Sequence, residues 1–85
     1  MSHLASESFW AAYRGLNPSL RRRADRSFEL LKSNPDHPSL HLKKVGRFWS
    51  ARIGVDFLAL AVEAPEGYLW FWLGSHADYE RILRS

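Results

Sequence analysis

Tyr68-Leu69-Trp70-Phe71-Trp72-Leu73 is apolar at every position. A strand sends alternate side chains to opposite faces, so this run is apolar on both. It predicts a strand deep inside a sheet, with other elements packed on each side. At an open edge the same run would be an aggregation hazard. Immediately upstream, Pro65-Glu66-Gly67 has the composition of a tight turn, and Asp56 to Ala64 reads as the preceding strand. Gly54-Val55-Asp56 is an equally short link back to a strand over Phe48 to Gly54. Short links imply hairpins, hence an antiparallel meander of three strands. Downstream, Ser75 to Leu83 reads as a short helix. Ser75 suits the N-cap, Asp78 suits the first turn, and Tyr79, Ile82 and Leu83 share a side.

The first half of the chain is helical. Met1 to Ser8 is polar and expected to be flexible. Phe9, Trp10 and Tyr13 recur at helical spacing, which predicts a helix over Ser6 to Arg14 ended by Gly15. Asn17-Pro18-Ser19 starts a second helix, because Asn is a good N-cap and Pro needs no N–H partner in the first turn. Its apolar stripe runs Leu20, Ala24, Phe28 (or Ser27) and Leu31, with Leu30 beside it. Asn34-Pro35-Asp36-His37-Pro38 stops it, and Ser39 to Val45 is expected to be extended. The prediction is one α+β domain over residues 1–85, with residues 1–8 flexible. An N-terminal helical pair packs on a small twisted antiparallel sheet, and a short C-terminal helix closes the chain.

Composition removes several function classes. Of 85 residues, 46% are hydrophobic and 14% aromatic, enough for a core in one small domain. There is no cysteine, which excludes disulfides, thiolate zinc sites and cysteine nucleophiles. No apolar run reaches the roughly 18–20 residues of a membrane span, and the N-terminus lacks the layout of a signal peptide. The cytosol is the expected compartment, with no membrane partner. A net charge of +3 is compatible with nucleic acid or an acidic protein. The five glycines are scattered and form no phosphate-binding loop, and no nucleophile-elbow motif is present. Asp36, His37 and His41 form the one metal-like cluster. Pro38 between the histidines argues against a shared helical face, so no metal and no cofactor is expected.

Three groups of residues carry possible chemistry. Arg21, Arg22, Arg23 and Arg26 form a basic run on the second helix, read as a solvated face or a phosphate-contacting stripe. His41, Lys43, Lys44, Arg47 and Arg52 form a second cluster in and before the first strand of the meander. In that strand Trp49, Ala51 and Ile53 point one way, the expected core face, and Phe48, Ser50 and Arg52 the other. An arginine in mid-strand calls for a carboxylate, a solvent-filled cleft or a phosphate, unless its sheet face is simply open. His76 and Tyr79 lie three apart at the last helix start, where a helix N-terminus suits an anion. His76 can move protons near neutral pH or be a plain surface residue. Tyr79 can contact RNA or pack on the sheet.

The ordered series Asn34-Pro35-Asp36-His37-Pro38-Ser39-Leu40, then Lys43, then Trp49-Ser50-Ala51-Arg52-Ile53-Gly54, then Trp70-Phe71-Trp72-Leu73-Gly74-Ser75-His76 with Tyr79-Glu80-Arg81-Ile82-Leu83, resembles the RelE/ParE superfamily of type II toxin–antitoxin toxins. The resemblance spans about residues 9 to 84. It implies helices on one face of a twisted antiparallel sheet and an open basic groove on the other. It implies a toxin that inhibits translation as a metal-independent, ribosome-dependent mRNA endonuclease (an mRNA interferase), with a cognate antitoxin as partner. Arg52 would be the phosphate clamp, His76 an acid, base or phosphate ligand, and Tyr79 the C-terminal aromatic of the groove. His41, Lys43, Lys44 and Arg47 would bind RNA or the ribosome. Two positions depart from the pattern: Leu58 stands where many relatives carry an active-site Arg, and Ser50 where the best-known nucleases carry a Lys. The alternatives implied are a ParE-like binder of DNA gyrase, or a degenerate toxin that pairs only with an antitoxin. The aromatic content leaves a homodimer open for the free chain.

Overall fold

Cap residues and turn glycines set the element boundaries of the computed structural model, which describes residues 2–84. The order is β1 (Ser2–Ala5), α1 (Glu7–Arg14), α2 (Pro18–Ser33), β2 (Lys43–Val45), β3 (Phe48–Ile53), β4 (Phe57–Ala64), β5 (Gly67–Ser75) and α3 (His76–Arg84). The Ser6 side chain accepts the Phe9 N–H to start α1, and Asn17 accepts the Leu20 N–H to start α2. Pro38–Leu40 is a single 3-10 turn, so only Lys43–Val45 of the expected extended segment is strand. Gly46, with φ +61°, opens the two-residue link between β2 and β3, a backbone setting that suits glycine.

The sheet order is β1-β5-β4-β3-β2. Strands β3 to β5 form the expected three-stranded antiparallel meander, and β2 extends it antiparallel to β3. Two expectations are corrected at the other edge. Residues 2–5 are not a loose end: Ser2–Ala5 pairs in parallel with β5, from Ser2 against Gly67 to Ala5 against Trp70. The sheet is therefore mixed, not purely antiparallel. The physical reason is that β5 is apolar on both faces and would otherwise be an open edge; β1 covers it. Gly67 (φ +150°) is required at this junction, since any Cβ there would run into the Ser2 backbone.

The main core lies between the sheet and α1 and α2. Ala24, Leu31, Leu40, Ala51, Ile53, Ala59, Ala61, Trp70 and Leu73 are buried there, and Phe9, Tyr13, Phe28 and Trp49 pack against them. A second cluster forms on the opposite face, where Leu58, Leu60 and Tyr79 are buried and Phe48, Phe71 and Trp72 pack around them. A register shift creates it. Leu60 faces Trp72 while Ala61 faces Trp70, so Phe71 is an extra residue in β5. A bulge of this kind lets two successive side chains serve one face.

His3 ties β1 to the core. Its ring stacks on Tyr68 at 5.4 Å, and its Nδ1 accepts the Trp70 indole N–H at 3.2 Å. An accepting Nδ1 carries no proton, so this bond requires neutral His3. Burial, then the positive charges of the amino terminus and Lys32, lower its pKa from 6.5. The folded state thus binds fewer protons than the unfolded state around and below that value, and stability rises with pH there. We expect His3's contribution to be complete above about pH 7 and to decline as the solution is acidified below the ordinary imidazole pKa of about 6.5. Denaturant titrations across that window check it. His3→Gln, which keeps an acceptor but cannot titrate, should flatten the slope; an unchanged slope would refute the assignment.

Candidate nucleic-acid interface

The sheet face opposite α1 and α2 is built from two cross-strand rows. One runs Lys43, Ser50, Leu60, Trp72, and the other runs Arg52, Leu58, Gly74. Directly paired residues project from the same face. The first row has a sealed centre, with Ser50 only 2% exposed and Leu60 1%. The expected open face is thus partly closed, because α3 lays Tyr79 over it and the bulge adds Phe71. Gly74 leaves room for the Trp72 indole, since a Cβ at 74 would lie 2.5 Å from that ring.

Arg52 is exposed, and among the described residues its side chain has no hydrogen-bond or ion-pair partner. Its neighbour in the row is Leu58, so it is the one cation of that row. Strands are spaced about 4.8 Å apart, which sets the Arg52 and Gly74 backbones about 10 Å apart. His76 follows Gly74 by two residues and begins α3 with no intervening loop. Its backbone N–H donates to the Asp56 carbonyl at 2.6 Å, which pins the helix start to the turn between β3 and β4. Ser75 Oγ accepts the Asp78 N–H at 3.1 Å and caps the same turn. The His76 side chain is 55% exposed, with Nδ1 3.8 Å from Glu80 Oε1 and its ring 5.9 Å from that of Tyr79. Arg52 and His76 therefore lie at one end of one face, separated by the apolar Leu58 and Trp72.

Tyr79 takes the packing role. It is 7% exposed, within the cluster of Leu58 and Leu60. Among the described residues no buried side-chain polar atom lacks a partner, so its hydroxyl reaches the surface while its ring is buried. Leu83, expected on the same side of α3, has a side chain outside the described residues.

Alternation splits the basic segment. Lys43 pairs with Ser50 and shares the Arg52 face, whereas Lys44 pairs with Trp49 and goes to the other. There Lys44 Nζ lies 3.6 Å from Glu63 Oε1. Glu63 also accepts the Trp49 indole N–H at 2.9 Å; that bond first, and Lys44 second, hold its carboxyl below the usual range. Arg47, in the turn after β2, places its guanidinium 5.8 Å from the Phe48 ring centre, on the Arg52 side. His41 has a left-handed backbone (φ 45°) and lines a cleft on the helical side instead. Of the seven residues expected at the site, Lys43, Arg47, Arg52, His76 and the Tyr79 hydroxyl remain on one face, and Lys44 and His41 leave it. Phe48, Phe71 and Trp72 were missed as floor residues. The doubly apolar β5 was their signal, but the bulge that turns Phe71 toward this face leaves no mark in the sequence. Arg21, Arg22, Arg23 and Arg26 lie along α2 over the other face, largely solvated, and none forms an ion pair among the described residues. No group of side chains among the described residues suits a metal ion.

The architecture is that of known solved proteins. A chain of the RelB-RelE antitoxin-toxin complex from Methanococcus jannaschii matches with a TM-score of 0.71 at 12% identity, over 93% of this chain and 96% of that one. The isolated E. coli RelE toxin matches at 0.63 and 11% identity, over 96% and 95%. YafQ from E. coli matches at 0.61 and 15% identity, over 92% and 96%. No protein-family model and no curated protein matches the sequence. At these identities the likeness establishes the fold, which is RelE-like.

Proposed function

We propose that this RelE-like chain is the toxin of a type II toxin–antitoxin pair and cuts messenger RNA on the ribosome without a metal. The observation that carries the reading is Arg52: exposed, unpaired among the described residues, and at the same end of the same sheet face as His76. In this reading the RNA 2′-hydroxyl attacks the adjacent phosphodiester, the P–O5′ bond breaks, and a 2′,3′-cyclic phosphate is left. Arg52 holds the phosphate and offsets charge on its oxygens. His76 exchanges protons with the entering or leaving oxygen. Lys43 and Arg47 guide the strand along the face, and the Tyr79 hydroxyl bounds the groove. Lys44 and His41, across the sheet, serve ribosome contact rather than the reacting strand. The partner is a cognate antitoxin, and the compartment is the cytosol. No helix among the described residues is long and apolar enough to cross a membrane.

Leu58 favours a second reading. An apolar side chain beside Arg52 supplies no second cation for a developing phosphorane, as a gyrase binder or a non-catalytic toxin fold would tolerate. Induced expression in bacteria with primer-extension mapping of cellular messages separates the two. Growth arrest with new ends inside translated messages is the expected result. Arrest without new ends points to a gyrase-like binding target, and normal growth at verified soluble expression overturns the nuclease reading in favour of a non-catalytic toxin fold that pairs only with an antitoxin.

A further inference from the structure

A cleft of about 610 Å³ opens on the helical side of the sheet, at the end away from Arg52 and His76. That is within the range of about 300–1,000 Å³ typical of small-ligand sites. Its wall is aromatic. Trp49 and Tyr68 meet at 5.5 Å and 70°, and His3 stacks on Tyr68. Two of these rings are locked before any ligand arrives, Trp49 by its bond to Glu63 and His3 by its bond from Trp70. The rim is polar: Lys32, His37 and His41 line it beside the carboxylate of Asp36, and Lys32 Nζ also lies 3.2 Å from Glu29 Oε1. His37 accepts the Ser39 backbone N–H on Nδ1 at 3.2 Å, so its remaining ring nitrogen is a donor. His41 holds the one positive-φ conformation of a non-glycine among the described residues, an uncommon setting often associated with functional loops.

We infer that this cleft binds a nucleoside monophosphate unit, its base against Trp49 and Tyr68 and its phosphate among Lys32, His37 and His41. A pre-set aromatic wall accepts a flat base with little loss of side-chain freedom. A lysine and ring N–H donors at the rim suit a phosphate oxygen. The unit is either a free nucleotide or one residue of an RNA strand. The site is independent of cleavage, since it lies on the opposite sheet face from Arg52.

Titration of the ¹⁵N-labelled full chain with AMP tests it. Saturable shifts are expected at the Trp49 indole N–H, His3, Tyr68 and His37, with a dissociation constant in the millimolar range. Lys32→Ala, at an exposed position, should weaken binding several-fold without altering the spectrum elsewhere; His37→Ala should also weaken it several-fold, with further shifts confined to the 38–40 turn that His37 caps. Trp49→Leu should weaken it by about tenfold or more. Oligoadenylate binding much more tightly than AMP, with a steep salt dependence, would identify a strand as the source; equal affinity would identify the free nucleotide. Three results overturn the inference: no shifts at millimolar AMP, shifts confined to the Arg52 face, or equal shifts from inorganic phosphate alone. The titration reads neither toxicity nor cleavage, so its failure and the failure of the nuclease reading are separable.

Discussion

Replacing Arg52 by alanine is expected to lower message cleavage by about 10²–10³-fold, the usual effect of removing one preorganised charge-stabilising donor. The fold should be unaffected. Arg52 is exposed, its side chain has no partner among the described residues, and surface changes of that kind shift stability by about 0.5 kcal/mol or less. Growth arrest and mapped RNA ends measure the first quantity, and thermal unfolding of the purified variant measures the second. Arg52→Lys should recover part of the activity, because it keeps the charge and loses the planar fork. The apolar Leu58 beside Arg52 sharpens the test. No second cation in the row can substitute, so the alanine variant should show little residual cleavage. Arrest and cleavage undiminished in Arg52→Ala would remove Arg52 from the mechanism and turn attention to a binding function.

Trp70→Ala should be the most damaging single change to the fold. Trp70 is 3% exposed, packs in the main core and holds β1 through His3. Truncating a buried Trp or Phe typically loses about 3–5 kcal/mol. A domain of this length has a total stability of about 5–15 kcal/mol, so the variant should lie near the threshold of folding. Its unfolding midpoint should fall by tens of degrees, at about 4–8 °C per kcal/mol. Trp70→Phe separates two contributions. It keeps most of the buried ring and removes the N–H that His3 accepts, so it should cost far less. It should also loosen β1, detectable as faster amide exchange at residues 3–5. A loss below about 1 kcal/mol in Trp70→Ala would mean that the core does not depend on this ring.

Local chemistry in the sequence was enough for most of the frame. Asn17-Pro18 ahead of the stripe from Leu20 to Leu31 starts a helix, because cap and ring geometry act within one turn. The short links at 54–56 and 65–67 leave hairpins as the simple connection. The apolar run from Tyr68 to Leu73 demands cover on both faces, which placed it inside the sheet. Alternation in β3 correctly assigned Ala51 and Ile53 to the core and Arg52 to the opposite face. The sequence could not specify what supplies the cover. Residues 2–5 look polar and loose, yet they pair in parallel with β5, because that strand's unpaired edge is met by a segment more than sixty residues away. The bulge at Phe71 is equally non-local, since it exists only as a mismatch between two strands. It decides that Phe71 joins Trp72 over Leu60, and hence that the groove face is partly sealed. Pairing register also decided the fate of the basic segment. Lys43 and Lys44 are adjacent in the chain, and pleating sends one to the Arg52 face and the other to Glu63. Elements followed from short-range chemistry. The membership of each surface followed from pairing partners distant in sequence, whose register is set by packing of the whole sheet.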